Sequence, residues 1–231
     1  MISPNITPWP LGPGCSRVAV LGGSFDPPHR AHMTLARTAL DHLGPNSGVV
    51  FVPAAASPFK VGRSASSAAD RLAMVRLAVA GEPRWGVWSD EIDRAAAGEA
   101  SYTIDTLRRA ITVTNGQVGL CLVLGSDQAL RFHEWKSARE LLAIAPPLVR
   151  LRPPIGSVEA LRTALGALGE WNDEELAMWV RQCVSAPLDD VSSTRVRSVC
   201  AAEGPGAIRE MVGGPVADYI GGRGLYGSTL Q

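Results

Sequence analysis

The segment Gly22-Gly23-Ser24-Phe25-Asp26-Pro27-Pro28-His29-Arg30-Ala31-His32 gathers, within eleven residues, the kinds of group that hold phosphates. Paired glycines let main-chain amides approach a ligand without interference from a Cβ atom. The two prolines stiffen the turn and postpone any helix until about His29. His29 and His32 then stand three apart at a helix start, where both face one spot. Helix-end amides together with two imidazoles make an anion site, most naturally one for phosphates. Plainer readings exist for each part. A Gly-Gly after a strand is ordinarily a turn, and histidines one helical turn apart often cap or pack. Zinc would need a third ligand, and no nearby Cys or carboxylate stands at metal spacing. The dinucleotide fingerprint G-x-G-x-x-G is absent, which weakens a dehydrogenase reading. Taken as a whole, the segment points to phosphate.

The elements that must position it follow from periodicity. Arg17–Leu21 is a short apolar run ending at the glycine pair, and Ala31–Leu43 has helical spacing. Val49–Val52 reads as a strand stopped by Pro53, Trp85–Trp88 as another, and Val118–Leu124 as a strand buried on both faces. Helices are expected over Ala68–Ala80, Thr103–Thr112, Ser137–Ile144, Val158–Leu168, Asp173–Val184 and Thr194–Ala202. This alternation argues for an α/β fold, a Rossmann-like doubly wound parallel sheet with a small, mostly helical C-terminal part over about 192–227. Residues 1–16, rich in proline and glycine, read as a flexible leader, and 17–227 as a single domain with a helical insertion over about 153–185. In such sheets the ligand crevice lies outside the carboxyl ends of the strands, where the glycine pair falls.

Composition bounds the rest. A chain of 231 residues with 46% hydrophobic and 19% charged residues can bury a core without disulfides. Its 22 basic and 22 acidic residues leave no net charge, so no global field draws it to nucleic acid or to an anionic membrane. Neither is expected as a partner. Cys15, Cys121, Cys183 and Cys200 are scattered, no apolar stretch approaches a spanning helix, and the N-terminus lacks the pattern of a signal peptide. The expected location is cytoplasmic. Oligomeric state is not encoded in any of these features.

Gly22–His32 resembles the G-G-[ST]-F-D-P-x-H-x-G-H signature of the nucleotidyltransferase superfamily, and Val191-Ser192-Ser193-Thr194-Arg195-Val196-Arg197 resembles its second signature, I-S-S-T-x-I-R. Three further segments are similar to those of the bacterial nicotinate mononucleotide adenylyltransferases. They are Ser101-Tyr102-Thr103-Ile104-Asp105-Thr106-Leu107, Leu124-Gly125-Ser126-Asp127 with Phe132 and Trp135, and Tyr219-Ile220 to Gly224-Leu225-Tyr226. Each is weak alone; five in the right order, from about residue 17 to 227, are strong. The chain departs from the pattern at Ala31, where glycine is usual, at Phe59, where histidine is common, and at Ala54-Ala55-Ala56, which replace a polar stretch.

The resemblance implies a reaction: ATP plus nicotinate mononucleotide gives deamido-NAD and pyrophosphate in NAD biosynthesis, with Mg²⁺ bound through the ATP phosphates and no metal site of the protein's own. It also implies roles. Gly22, Gly23, Ser24 and Phe25 would line the ATP cleft, joined by Lys60, Gly125, Ser193 and Thr194. His29, His32 and Arg197 would grip the phosphates, with His32 first among them for stabilising the transition state. Tyr102, Thr103, Asp127 and Trp135 would meet the mononucleotide, Thr103 at the pyridine carboxylate and Trp135 stacked on the ring. Tyr102 could equally be a core residue, Asp127 a solvated loop carboxylate, and Ser192–Thr194 an ordinary helix cap. Two alternatives stay open: a nucleotide-binding sensor of the same fold without turnover, and an adenylyltransferase for another phosphate monoester such as nicotinamide mononucleotide.

Overall fold

The computed structural model describes residues 7–55, 66–98, 101–185 and 191–227. Residues 7–16 carry no helix or strand. The strands are β1 (Arg17–Gly23), β2 (Ser47–Pro53), β3 (Trp85–Val87), β4 (Gly119–Gly125), β5 (Pro147–Leu151) and β6 (Cys183–Ser185). The helices are α1 (Arg30–Leu43), α2 (Ala68–Val79), α3 (Asp90–Ala96), α4 (Thr103–Val113), α5 (Ser126–Ala129), α6 (Ala138–Ile144), α7 (Val158–Ala167), α8 (Asp173–Arg181), α9 (Ser193–Glu203), α10 (Arg209–Val212) and α11 (Gly214–Gly222).

One parallel sheet runs in the order β3-β2-β1-β4-β5-β6. The chain starts in the middle and winds outward in both directions, the doubly wound arrangement expected from the alternation of elements. Val18 pairs with Leu120, Leu122 with Pro147, and Val149 with Cys183. β2 is buried along its whole length, and Leu120 to Leu124 of β4 are buried too, as parallel strands covered on both faces must be.

Local chemistry explains several boundaries. Ser67, Ser157 and Ser192 each accept a hydrogen bond from the amide three residues on, which starts α2, α7 and α9. Asn172 and Glu175 form a reciprocal capping box at α8. Two of the differences from the sequence expectation have a clear local cause. β5 was not anticipated, because Arg150 interrupts its apolar run and prolines flank it. The helix expected over Asp173–Val184 ends at Arg181, since Gln182 leaves helical geometry and its carbonyl accepts the Val149 amide at 2.8 Å. Pairing with β5 thus captures Cys183–Ser185 as the edge strand β6.

By packing, the chain falls into two compact units, and the division passes within β1, α1 and β2. Unit 1 comprises the described residues of 1–21, 35–50 and 102–187; unit 2 those of 22–34, 51–101 and 188–231. In unit 1, Trp179 is fully buried and sits edge-on to Phe132 at 4.9 Å and to Trp171 at 5.5 Å. In unit 2, Met74 of α2, Val196 and Cys200 of α9, and Val216 and Ile220 of α11 close one apolar core. That core docks the C-terminal helices beside α2. No helix among the described residues is long and apolar enough to cross a membrane.

Ala31, at the glycine position of the superfamily signature, lies in the first turn of α1 and is absent from the residues with positive φ. An alanine therefore costs no backbone strain there. Ala31→Gly should lower stability by up to roughly 1 kcal/mol, the helix-propensity difference, as thermal melts of the two forms will show. A more stable glycine variant would contradict this backbone.

Candidate active site

Unit 2 holds the first cluster. β1 delivers the chain into the loop Gly22–Pro28, which is irregular because Pro27 and Pro28 bar helix until Arg30. Phe25 takes a left-handed φ of 49° and turns its ring into the core, 5.9 Å from Phe51. The same ring meets His32 edge-on at 5.0 Å and so fixes one side of that imidazole. The His29 and His32 rings lie 3.8 Å apart, His29 buried and His32 half-buried. The expected convergence of the two histidines is what the structure shows.

The His29 amide donates to Nδ1 of His32 at 3.2 Å, while the His32 amide donates to the His29 carbonyl. An Nδ1 that accepts carries no proton. In the neutral imidazole this acceptance places the hydrogen on Nε2.

The second signature segment joins the first. Ser192 caps α9, the ordinary role weighed for this segment. Ser193 Oγ donates to the Pro27 carbonyl at 2.9 Å, and Arg197 donates to the Asp26 carbonyl at 2.7 Å and to Thr194 Oγ1 at 3.3 Å. Thr194, Arg197, Ser198, Ala201 and Tyr226 line an open recess of about 360 Å³ beside these ties. Ser24 contributes its carbonyl to Arg71, so its contact with the loop's support is through the main chain.

The two glycines differ. A Cβ on Gly22 would meet nothing within 4 Å, which leaves room for close approach to the amide. A Cβ on Gly23 would lie 3.2 Å from the Phe25 ring, so glycine there serves packing.

Four contributors were missed by sequence reasoning. The buried Asp26 carboxylate accepts from Ser66 Oγ at 2.5 Å and from the Tyr226 hydroxyl at 2.7 Å. Arg71, almost fully buried, donates to the carbonyls of Ser24, Ala54 and Ala55 at 2.6–2.9 Å. Burial lowers the Arg71 pKa, and the Asp26 charge opposes that shift. Burial, reinforced by the bond to Asp26, raises the Tyr226 phenol far above its ordinary range, so it stays a protonated donor. An arginine inside the apolar pattern of α2 was the available signal for Arg71.

Unit 1 holds a second cluster, at α4 and after β4. Tyr102 precedes α4 as its N-cap residue with no side-chain cap bond, and Thr103 begins the helix, half-buried. Tyr102 is 40% exposed with the Lys136 ammonium 4.2 Å from its ring, so it is no core residue. Asp127 is exposed and paired with Arg152 at 2.7 Å, hence not simply a solvated carboxylate. A Cβ on Gly125 would fall 2.5 Å from Asp127 Oδ1, so a side chain there would push that exposed carboxylate aside. Trp135 is half-buried and stacks on Phe132 at 5.0 Å and 28°. Lys60 lies outside the described residues. Among the described residues no group of three His, Cys, Asp or Glu side chains is gathered to hold a metal ion.

A doubly wound sheet with imidazoles and a guanidinium brought to the loop after its first strand defines an α/β protein whose candidate site is chemically suited to anions. The cytidylyltransferase-like family model matches residues 20–199, and curated relatives match over most of the chain. A Neisseria meningitidis protein named "probable nicotinate-nucleotide adenylyltransferase" is 32% identical, covering 91% of this chain and 98% of its own. Relatives of the same name from Herpetosiphon aurantiacus and Stenotrophomonas maltophilia are 35% and 34% identical, covering 91% and 90% of this chain and 98% and 95% of theirs. The chain belongs to the nicotinate-nucleotide adenylyltransferase family, within the cytidylyltransferase-like proteins. The fold is also that of the Plasmodium falciparum nicotinic acid mononucleotide adenylyltransferase solved in complex with NaAD, at a TM-score of 0.64 and 18% identity over 94% of this chain and all of that one. The same enzyme in complex with APC gives 0.62 and 17%, with the same coverage of both chains.

The glycine geometry is directly testable. Gly22→Ala should leave stability within about 0.5 kcal/mol, as expected of an exposed site with free space. Gly23→Ala should cost roughly 1–3 kcal/mol, because the packed Phe25 ring has nowhere to retreat. Equal melting temperatures for the two variants would count against the placement of Phe25.

Proposed function

We propose that the chain transfers the adenylyl group of ATP to nicotinate mononucleotide, giving deamido-NAD and pyrophosphate in NAD biosynthesis, with residues 17–227 acting as one nucleotidyltransferase domain. The observation that carries this reading is the union of two phosphate-binding segments. Arg197 and Ser193 of α9 are tied to the main chain of Asp26 and Pro27, directly ahead of His29 and His32. Family membership over nine-tenths of the chain supports the substrate pair.

The chemistry asks little of a base. A phosphate monoester is largely dianionic at neutral pH, so the mononucleotide oxygen needs no proton removed before it attacks the α-phosphorus. The new P–O bond forms as the bond to pyrophosphate breaks. Catalysis then rests on alignment and on neutralising charge around the α-phosphate. His32 supplies its Nε2 hydrogen, His29 and Arg197 bind the phosphates beside it, and the first α9 amides, those of Ser193 and Thr194 among them, add donors. Gly22, Gly23, Ser24 and Phe25 line the ATP side through the main chain, and Lys60 and Gly125 are assigned to ATP on the family resemblance alone. Thr103 and the first α4 amides receive the pyridine carboxylate, Trp135 stacks on the ring, and Tyr102 and Asp127 complete the mononucleotide contacts.

Mg²⁺ is the ion this reading implies, carried on the ATP phosphates, where it supplies charge neutralisation. Mg²⁺ is usually held by one or two carboxylates with substrate phosphates and water, a donor set that needs no protein cage. All four cysteines are free thiols, which fits a reducing cytoplasm.

The test is pyrophosphate release from ATP, expected only with Mg²⁺ and a pyridine mononucleotide present. The nicotinate form should show the higher kcat/KM, since bonds to a carboxylate are roughly twice as strong as those to a neutral amide. Equal values would remove the carboxylate assignment, and ATP binding without turnover on any acceptor would favour a sensor. His32→Ala and Arg197→Ala should each lower kcat by roughly 10²-fold or more, as for loss of one transition-state donor. His42→Ala, at the far end of α1, should change it little.

A further inference from the structure

The C-terminal segment Tyr219–Tyr226 has no part in the chemistry above, yet its two tyrosines reach different carboxylates of unit 2. Tyr219 donates to Asp70 at 2.9 Å, where Arg223 also lies at 3.2 Å. Asp70 belongs to the start of α2, bonded to Ser67, and makes no recorded bond to the Gly22–His32 loop. Tyr226 instead donates to Asp26, inside that loop.

Tyr226 is held there against its backbone preference. Its φ of 60° and ψ of 29° are left-handed, between Gly224 and Gly227, which also have positive φ. A bulky residue in this region is an outlier that surrounding contacts must sustain. In unit 2 the other described non-glycine residue with positive φ is Phe25, next to Asp26. The hydroxyl bond therefore joins one left-handed residue to the immediate neighbour of another, across 200 residues of sequence.

The bond also lies within the phosphate machinery. Asp26 gives its carboxylate to Tyr226 and Ser66 and its carbonyl to Arg197. Tyr226 lines the same recess as Thr194 and Arg197. Any rotation of the Asp26 peptide would move the Arg197 guanidinium and, three residues on, His29.

We infer that Tyr226 is a positioning residue for the phosphate site, acting through its hydroxyl bond to Asp26 to set the loop of His29 and His32 and the reach of Arg197. The inference deepens the proposed function and rests on it only for the identity of the nucleotide. Tyr226 supplies no proton and touches no reacting atom. It would govern the ATP side of the reaction and leave acceptor affinity alone.

The experiment compares Tyr226→Phe with Tyr219→Phe, two losses of one hydroxyl from the same segment. ATP affinity is measured by calorimetry with Mg²⁺ and no acceptor, alongside melting temperature and steady-state kinetics. Tyr226→Phe should weaken ATP binding about tenfold, the lower end for loss of a hydrogen bond to a charged acceptor, and lower kcat. Its KM for nicotinate mononucleotide should not change. Tyr219→Phe should lower the melting temperature while ATP affinity stays at the wild-type value.

Unchanged ATP affinity in Tyr226→Phe overturns the inference, as does an equal loss in Tyr219→Phe, which would mark a general effect of loosening the segment. If Tyr226→Phe does not fold, Ser66→Ala removes the other donor to the same carboxylate oxygen and carries the same expectation. A wild-type protein that binds ATP without turnover would sink the adenylyl-transfer reading, while the affinity comparison would still decide the role of Tyr226.

Discussion

Everything in the cluster of His29, His32 and Arg197 depends on how the carbonyls of the Gly22–Pro28 loop are satisfied. Two consecutive prolines remove donors from the loop, and the left-handed turn at Phe25 takes it out of any regular ladder. The loop is nevertheless buried from Phe25 to His29. Leaving a buried carbonyl unpaired costs about 1–3 kcal/mol, so donors must come from elsewhere. They come from side chains: Arg71 of α2 to Ser24, Arg197 of α9 to Asp26, and Ser193 of α9 to Pro27. This requirement explains why the C-terminal helices pack against α2 around Met74, Val196 and Ile220. That core holds in place the helices from which the loop is supported.

The same constraint places charge where composition shows none. Over the whole chain the basic and acidic residues cancel. Locally, Arg71 and Arg197 are anchored by main-chain oxygens, with no salt bridge to a carboxylate among the described residues. A guanidinium held this way favours an anion nearby. Asp26 is the counterweight, and it is turned toward Ser66 and Tyr226, with its carboxylate occupied by hydroxyl donors.

Much of this was legible in the sequence, for identifiable reasons. The continuous apolar run of β4 and the glycine pair that ends β1 announced a parallel sheet with a candidate site after its first strand. His29 and His32 converge because a proline-delayed helix start puts them one turn apart. β5 and β6 were not legible, since Arg150 breaks one apolar run and the other strand is three residues long, defined only by its partner. Ser193 was read as a group for phosphate, and the tie of its hydroxyl to Pro27 is one that no local pattern could announce. Ser66 and Tyr226 were missed on the same ground, since their bonds to Asp26 span 40 and 200 residues, whereas Arg71 left the signal of an arginine within an apolar helix.

Ties of this kind also bear on how a site can be tight without being floppy. A side chain that must be ordered by its ligand charges about 0.5–1.5 kcal/mol of binding energy for that ordering. His32 is already fixed by the Phe25 ring and by the His29 amide on Nδ1, and Arg197 by the Asp26 carbonyl and Thr194. For these groups the ordering is met by folding, before any phosphate arrives. Donors fixed in advance are also those that best stabilise charge developing in a transition state, because they need not reorganise during the reaction. The strained turns at Phe25 and Tyr226 then read as the cost of that arrangement, borne by the fold and not by the ligand.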